Sequence, residues 1–493
     1  MITLNNLNDA LKGHLNDLGL TEEQVQSLIE EALIDESLLT NDKTVIGAIN
    51  ELFQNVDSGK QLIADAIDDS IITEDSTFEA MSDSIADIKN KLTNNTQKLY
   101  EVLSNKDIGA NSTDSFDDLI NLLKQAKIEL TGIKQIAAGQ SHIVILKYDG
   151  TVYGCGSNNY GQLGLGNTTN ATTFTQITTN INNDVEQIIA GNNFTYILKK
   201  DGTIWSCGRN NYGQLGLGNT TTTKTFTQIT TNGTNVKQLE CGQNHVMILK
   251  NDGSVYTCGA NTGAQLGIGS TDSNTHSTFT KVISGDVKKI LSMYSTNIVL
   301  KNDGSLWGCG SNSSGQLGLG NTTNQPSFVE IPGMTNIKNM FCGESSLFIL
   351  KEDGTLWGTG NNECGCLGVG HIGVVYSFTQ ITTNINNDVK QIDCGDSHTI
   401  MIKNDGSIWA CGDNYYGQLG LGTTDNSANA HMTFQRISTN GTDIKQVDCG
   451  RDFTIVAKTD DRVYSCGLND YGQLGLGDTS NRSSLTNISG GSL

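Results

Sequence analysis

Proline is almost missing from this chain: there are 2 in 493 residues. Glycine is abundant at 56, but it does not recur at every third position, so a collagen-like chain is excluded. Positive charge is also scarce. The 31 Lys+Arg against 52 Asp+Glu leave a net charge of −21, and that excludes a basic footprint for nucleic-acid backbones. No apolar run approaches the roughly 18 residues of a membrane span, so neither nucleic acid nor membrane insertion is expected. The opening MITLNNLNDALKGHL lacks the basic start and apolar stretch of a signal peptide. The expectation is therefore synthesis in the cytoplasm without export by that route.

These scarcities are unevenly spread. Residues 1–130 hold 25 Asp+Glu and 9 Lys, 5 glycines, and neither cysteine nor tryptophan. Residues 131–493 carry 27 acidic and 22 basic groups, 51 glycines, all 12 cysteines and all 4 tryptophans. Two domains are expected, divided at that boundary. The first reads as a separate α-helical region for attachment and oligomerisation. Thr21 to Gln24 forms a capping-box pattern before Val25, Leu28, Ile29 and Leu33. Phe78, Met81, Ile85, Ile88 and Leu92 alternate spacings of three and four, a heptad seam along which chains could pair. A one-chain bundle is the competing reading of the same stripes.

The second part is one unit written seven times. An Asp-Gly turn recurs at Asp149, Asp201, Asp252, Asp303, Asp353 and Asp405, and Asp460-Asp461 takes its place in the last copy. The intervals are 52, 51, 51, 50, 52 and 55 residues. Twelve residues past each turn come Gln162, Gln214, Gln265, Gln316, Cys366, Gln418 and Gln473. Within one copy, His142–Lys147 is an apolar strand and Asp149-Gly150 a hairpin turn. Thr151–Cys155 is the returning strand, Gly161–Gly166 a tight loop burying Leu163 and Leu165, and Phe174–Ile177 a further strand. Val185–Ala190 leads into the next copy. About four short strands per repeat predict a propeller blade. Closing the row into a ring removes the exposed sheet edges that an open row would leave.

Chemistry is thinly represented. Cys155, Cys207, Cys258, Cys309, Cys411 and Cys466 share one repeat position, and Cys241, Cys342, Cys394 and Cys449 share another. Other copies use Ala, Ser or Thr there, so small buried side chains are expected rather than disulfides. Cys364 and Cys366 break the pattern, with only His371 nearby as a further metal ligand. His142, His245 and His398 occupy a position filled elsewhere by Phe194, Ser295, Ser346 and Phe453, which argues for packing over catalysis. Gly161–Gly166 lacks the Lys-Ser/Thr of a phosphate loop. No catalytic residue, metal or cofactor is expected. The Asn-Asn-Tyr clusters ending at Tyr160, Tyr212, Tyr416 and Tyr471 suit sugar hydroxyls but also abut the repeat core. Loop irregularity is the stronger pointer to recognition. From the last glycine of the loop to the next strand aromatic or leucine is 8 residues in five copies, 10 in copy three and 12 in copy six. His276, Asp425, Asn426, His431 and Tyr415 in these loops are the candidate receptor-binding residues.

The unit xxHxxxLKxDGxVYxxGxNxxGQLGLG resembles the regulator of chromosome condensation repeat across roughly residues 132–490. That resemblance implies an all-β, seven-bladed β-propeller. Residues 41–53 (NDKTVIGAINELF) and 59–67 (GKQLIADAI) are similar to stretches of bacteriophage tail and tail-fibre proteins of Clostridium-like hosts. Together these resemblances imply a receptor-binding protein of a virion tail or tail-like particle. Its helices would dock on baseplate or tail proteins, and the analogy with fibres implies a homotrimer. Its propeller would bind a bacterial cell-surface polysaccharide or surface protein, with many copies adding avidity. The alternative implied by the repeat family is a protein-binding propeller, either an exchange factor for a GTPase or a secreted enzyme inhibitor.

Overall fold

A computed structural model describes residues 132–493, apart from 182–183, 386–387, 426–430, 439–442 and 489–493. The expected N-terminal helices and the seam Phe78, Met81, Ile85, Ile88 and Leu92 lie outside the described residues. The remainder is a seven-bladed β-propeller: seven antiparallel sheets, each of four strands consecutive in sequence. Blade one comprises Ile133–Ala138, His142–Lys147, Val152–Gly156 and Ala171–Ile177. The other blades repeat that order, ending with Arg482–Asn487.

Sequence pattern follows position in the blade. The second strand, His142–Lys147, is buried on both faces between neighbouring blades, so it reads as an unbroken apolar run. The fourth strand forms the outer rim and alternates, with Phe174 and Ile177 inward and Thr173, Thr175 and Gln176 exposed. First strands touch their neighbours all round the ring, including blade seven against blade one. The ring thus closes by burying two sheet faces. This corrects the expectation that closure serves sheet edges: blades stack face to face, and each outer strand is met near its start by the preceding blade's loop, as where Gly166 N donates to Lys224 O at 2.9 Å.

Three repeated devices hold the blades. At the turn side, the Lys ending each second strand lies over the aromatic ring of the third. Lys147 is 4.9 Å from the Tyr153 centroid and Lys301 3.7 Å from that of Trp307, and the arrangement recurs in every blade. At the opposite end, the GQLGLG loop of each copy wedges against the next blade. Gly164 adopts φ 68°, and a methyl group there would lie 2.6 Å from the ring of Phe226, so only glycine fits. Gly475 meets Phe174 at the same distance where the ring closes.

The third device lies between first strands. Their pairing register shifts at the third residue, as between Ile133 and Gln135. Gln135 then donates through Nε2 to Ile188 O (2.8 Å) and accepts from Ile188 N (2.9 Å) in blade two. Gln187, Gln238 and Gln446 clasp the following blade through both groups, and Gln391 through its donor. Blade four has Lys289 there and blade five Asn339, whose Oδ1 accepts from its neighbour Met340 N.

Candidate recognition face

The loops between first and second strands, and those between third and fourth, emerge on one face. In blade one the first residue of the second strand, His142, pairs with the last of the third, Gly156. On the axis of this face is a cavity of about 180 Å³. Its rim is one residue per blade, directly after the repeat's small-residue pair: Gln140, Asn192, Gln243, Tyr294, Glu344, Asp396 and Arg451. The position is repeated while the side chains differ: three carboxamides, two carboxylates, a phenol and a guanidinium. That variation was visible in the sequence once copies were stacked by strand, but the reading by Asp-Gly turns did not single it out.

The rim is electrically lopsided. Arg451 Nε meets Asp396 Oδ2 at 3.0 Å and Asp452 Oδ2 at 3.5 Å. Loss of water, then the nearby Glu344 and Asp452, pushes the Asp396 carboxyl up to about 7. Burial also raises Glu344 and Asp452 above the ordinary range. Three residues before the rim position, on the first strands, burial carries Glu240 and Asp393 to about 7 and Asp448 well up. Asp393 accepts from Cys449 N at 2.5 Å and Asp448 from Ala138 N at 3.0 Å. These two carboxylates therefore satisfy first-strand amides of the next blade.

Tyrosines ring the rim on one side. The third-to-fourth-strand loops of four consecutive blades (six, seven, one and two) place Tyr416, Tyr471, Tyr160 and Tyr212 at one repeat position. Each is presented rigidly, because its own backbone N–H donates to the Gln two residues on, at 2.9 Å in every case. Blade six adds Tyr415, packed edge-on to Tyr416 at 4.8 Å and 56% exposed. Blades three, four and five have Gly263, Ser314 and Cys364 at this position. The Asn two residues before this position belongs to the fold. Asn158 is buried, donates to Asn167 O and Thr169 O (both 3.1 Å) and accepts from Leu163 N (3.0 Å).

The longer loops have internal partners. His276 Nε2 lies 3.0 Å from Asp272 Oδ1, and His431 Nε2 lies 2.8 Å from Asp425 Oδ2. Asp425 also accepts from Asn414 Nδ2 at 3.3 Å. Each histidine opens an outer strand and, with its aspartate, closes the extra length. Asp425 and His431 pair in blade six, where Tyr415 follows Asn414, the donor to Asp425. His276 stands apart in blade three, and Asn426 lies outside the described residues.

The buried histidines are seam residues. His142 Nε2 meets Thr195 Oγ1 (3.0 Å), His245 Nε2 meets Asn297 Oδ1 (2.9 Å) and His398 Nε2 meets Thr454 Oγ1 (3.1 Å), always in the next blade. Thr195 and Thr454 spend their protons on Gln162 O and Gln418 O, so these histidines donate. Burial holds His142 and His398 near 3 and His245 near 4, hence neutral. Phe194 and Phe453 at the same position instead pack in one core with Val246 and with Ile143. The blade-four member is Thr296, not Ser295, since Thr296 is the residue that pairs with the third-strand glycine, Gly310. That smaller side chain leaves room for Met293 where the blades with His or Phe have glycine packed against the ring.

Every cysteine is unbridged among the described residues. Several do more than fill space. Cys155, Cys207, Cys411 and Cys466 donate S–H to the loop carbonyls Gln473, Gln162, Cys366 and Gln418 of the preceding blade at 3.3–3.6 Å. Cys366 itself donates to Asn361 O. No cluster of His, Cys, Asp or Glu with metal-binding geometry occurs among the described residues.

Comparison with known proteins agrees with this geometry. The family model described as RCC1-like domain matches residues 228–492. The chain belongs to that family. Models of the regulator of chromosome condensation (RCC1) repeat match 133–162 and 185–214, and also 149–198 and 201–249. The chain is 27% identical over 353 residues to the ultraviolet-B receptor UVR8 of Arabidopsis thaliana, covering 70% of this chain and 79% of that one. It is 34% identical over 311 residues to the X-linked retinitis pigmentosa GTPase regulator of Canis lupus familiaris, covering 60% of this chain but only 30% of that protein. In solved structures the RCC1-like fold recurs in Prp20p of Saccharomyces cerevisiae, with a TM-score of 0.63, 18% identity and coverage of 73% and 87%. It recurs also in human WBSCR16, with a TM-score of 0.59, 24% identity and coverage of 66% and 87%.

Proposed function

We propose that this RCC1-like propeller acts by binding another protein on the face that carries the axial cavity. The carrying observation is the rim. A scaffold repeated closely enough to keep its turn-side stacks and loop glycines varies the one side chain per blade that surrounds the cavity. Loops on a rigid scaffold are where recognition is built. Relatives named as a GTPase regulator and a photoreceptor fit a regulatory rather than a catalytic role. Whether the partner is a GTPase, as for an exchange factor, or an enzyme to be inhibited, is the finer question. The tail-fibre reading rests on residues 41–67, outside the described residues, and the family match and the named relatives lend it no support.

A photo-crosslinking residue placed in the full chain tests the face. Asn192 and Ser313 lie on the cavity side, and Lys200 and Glu352 beside the Asp-Gly turns. Protein adducts formed in the producing cell from the first pair and not the second are the expected result. Adducts from the turn side alone overturn the reading. The mass-spectrometric identity of the adduct separates a GTPase from an enzyme target or a tail component.

A further inference from the structure

The tyrosines are not distributed as the fold requires. The turn that opens this loop has the same backbone hydrogen bond in all seven blades, yet aromatic side chains fill a single repeat position only in blades six, seven, one and two. Tyr415, Tyr471 and Tyr160 are exposed. Rigid aromatic groups lose little entropy on contact and are typical interface anchors.

The chain itself indicates what such a tyrosine accepts. Arg209 lies with its guanidinium 5.2 Å from the Tyr160 centroid and 6.0 Å from that of Tyr212. In blade six the residue matching Arg209 is Asp413, whose Oδ2 accepts from Gln418 Nε2 at 2.7 Å. In blade seven it is Leu468, and Asp470 precedes Tyr471. The adjoining rim adds Glu344, Asp396 and Asp452, with Arg451 the cation already paired among them. Half of the arc thus carries its own cation, while the other half has exposed rings bordered by carboxylates.

We infer that the blade six to seven half of this arc, Tyr415, Tyr416 and Tyr471 with Asp396, Asp413, Asp452 and Asp470, binds an arginine- or lysine-rich protein segment. A partner cation stacks on these rings as Arg209 does on Tyr160, and the carboxylates neutralise the rest of the segment. The inference rests on the protein-binding reading and narrows it to one sector and one partner chemistry.

The test is an array of immobilised random synthetic peptides probed with the full chain, with a Tyr415→Ala/Tyr471→Ala variant, and with a Thr262→Ala/Ser313→Ala control in the matching loops of blades three and four. The parent should retain peptides enriched in Arg and Lys. The tyrosine variant should lose about tenfold or more in apparent affinity, the scale of interface anchors. The control should change by less than about twofold, and added salt should weaken the parent. Retention of neutral or acidic peptides, equal binding by the tyrosine variant, or no retention by the parent overturns the inference. So does an adduct to carbohydrate from a crosslinker at Tyr415. The substituted tyrosines are solvent-facing, and unchanged thermal unfolding of the variant confirms its fold. Failure on the array with cavity-face protein adducts still formed from Asn192 and Ser313 would sink this inference alone. Loss of those adducts would sink the broader reading.

Discussion

The seams around blade five differ from the rest of the ring. Between blades one and two a single glutamine satisfies a neighbouring N–H and C=O at once. The same clasp joins two to three, three to four and seven to one, with a single-bonded version from six to seven. From four to five the residue is Lys289, which reaches Asn339 Oδ1. From five to six it is Asn339, one methylene too short to reach across. Blade five also has Ser346 where five others have histidine or phenylalanine and blade four has Thr296, and Cys366 where others have glutamine. A repeat can hold its backbone constant while the joints between copies differ in strength, because each joint depends on residues from two copies.

The largest expected effect is at a clasped seam. Gln135→Ala strips both partners from Ile188 and should cost about 2–3 kcal/mol by chemical denaturation of the full chain, whereas Asn339→Ala should cost under about 1 kcal/mol. Equal losses would abolish the distinction between seams. Hydrogen exchange should agree, with the Ile392 amide opening faster than that of Ile188.

Next is the histidine joint. His398→Phe removes a donor to Thr454 and should cost about 1 kcal/mol at neutral pH. His398 titrates near 3 in the folded chain against an ordinary value near 6.5. As pH falls through about 6.5 the unfolded chain gains a proton that the folded chain refuses, so the parent loses stability. At about pH 5 that loss amounts to about 2 kcal/mol, and the phenylalanine variant escapes it. The variant should therefore pass from less to more stable than the parent on acidification, read as a reversal in the order of Tm. Adding Thr454→Ile, to match Phe453 against Ile143, should recover stability at neutral pH. A variant that stays below the parent at every pH would remove the claim that His398 is held neutral.

A constructive change is smaller. Asn339→Gln supplies the missing methylene, and a completed clasp from blade five to blade six should add about 1 kcal/mol. The smallest effect concerns the turn-side stacks, where all blades agree. Lys301→Met should cost about 0.5–1 kcal/mol, with a similar value for Lys351→Met. A large difference between those two would show that blade five is weakened on both sides of the ring.

Much of the fold could be read along the chain. The Asp-Gly turns, the apolar second strands and the glycines of GQLGLG each act within one copy or its immediate boundary, so stacked copies displayed them. The clasp of Gln135 was hidden because its partner is backbone 53 positions away, and backbone has no identity to align. The pairing of His with Thr or Asn, and of Phe with Val or Ile, could have been found by comparing each copy with the residue after the same position in the next. Of the candidate site residues, Tyr415 is exposed. His276 and His431 looked superfluous because their aspartate partners lie in the same irregular stretch, where the repeat offered no template.

Each sheet is built from four consecutive strands and no strand crosses the closing seam. The first and last blades therefore meet at an ordinary joint. Ile133 N donates to Asp461 Oδ1 and Lys445 Nζ to Ile133 O, contacts between neighbours like those elsewhere in the ring. In genetic terms the order of the blades is circular. A gene rewired to begin at Val185 and to run through a joined end into Ile181 would break no sheet, and tandem duplication could add or remove a whole blade without rethreading the rest.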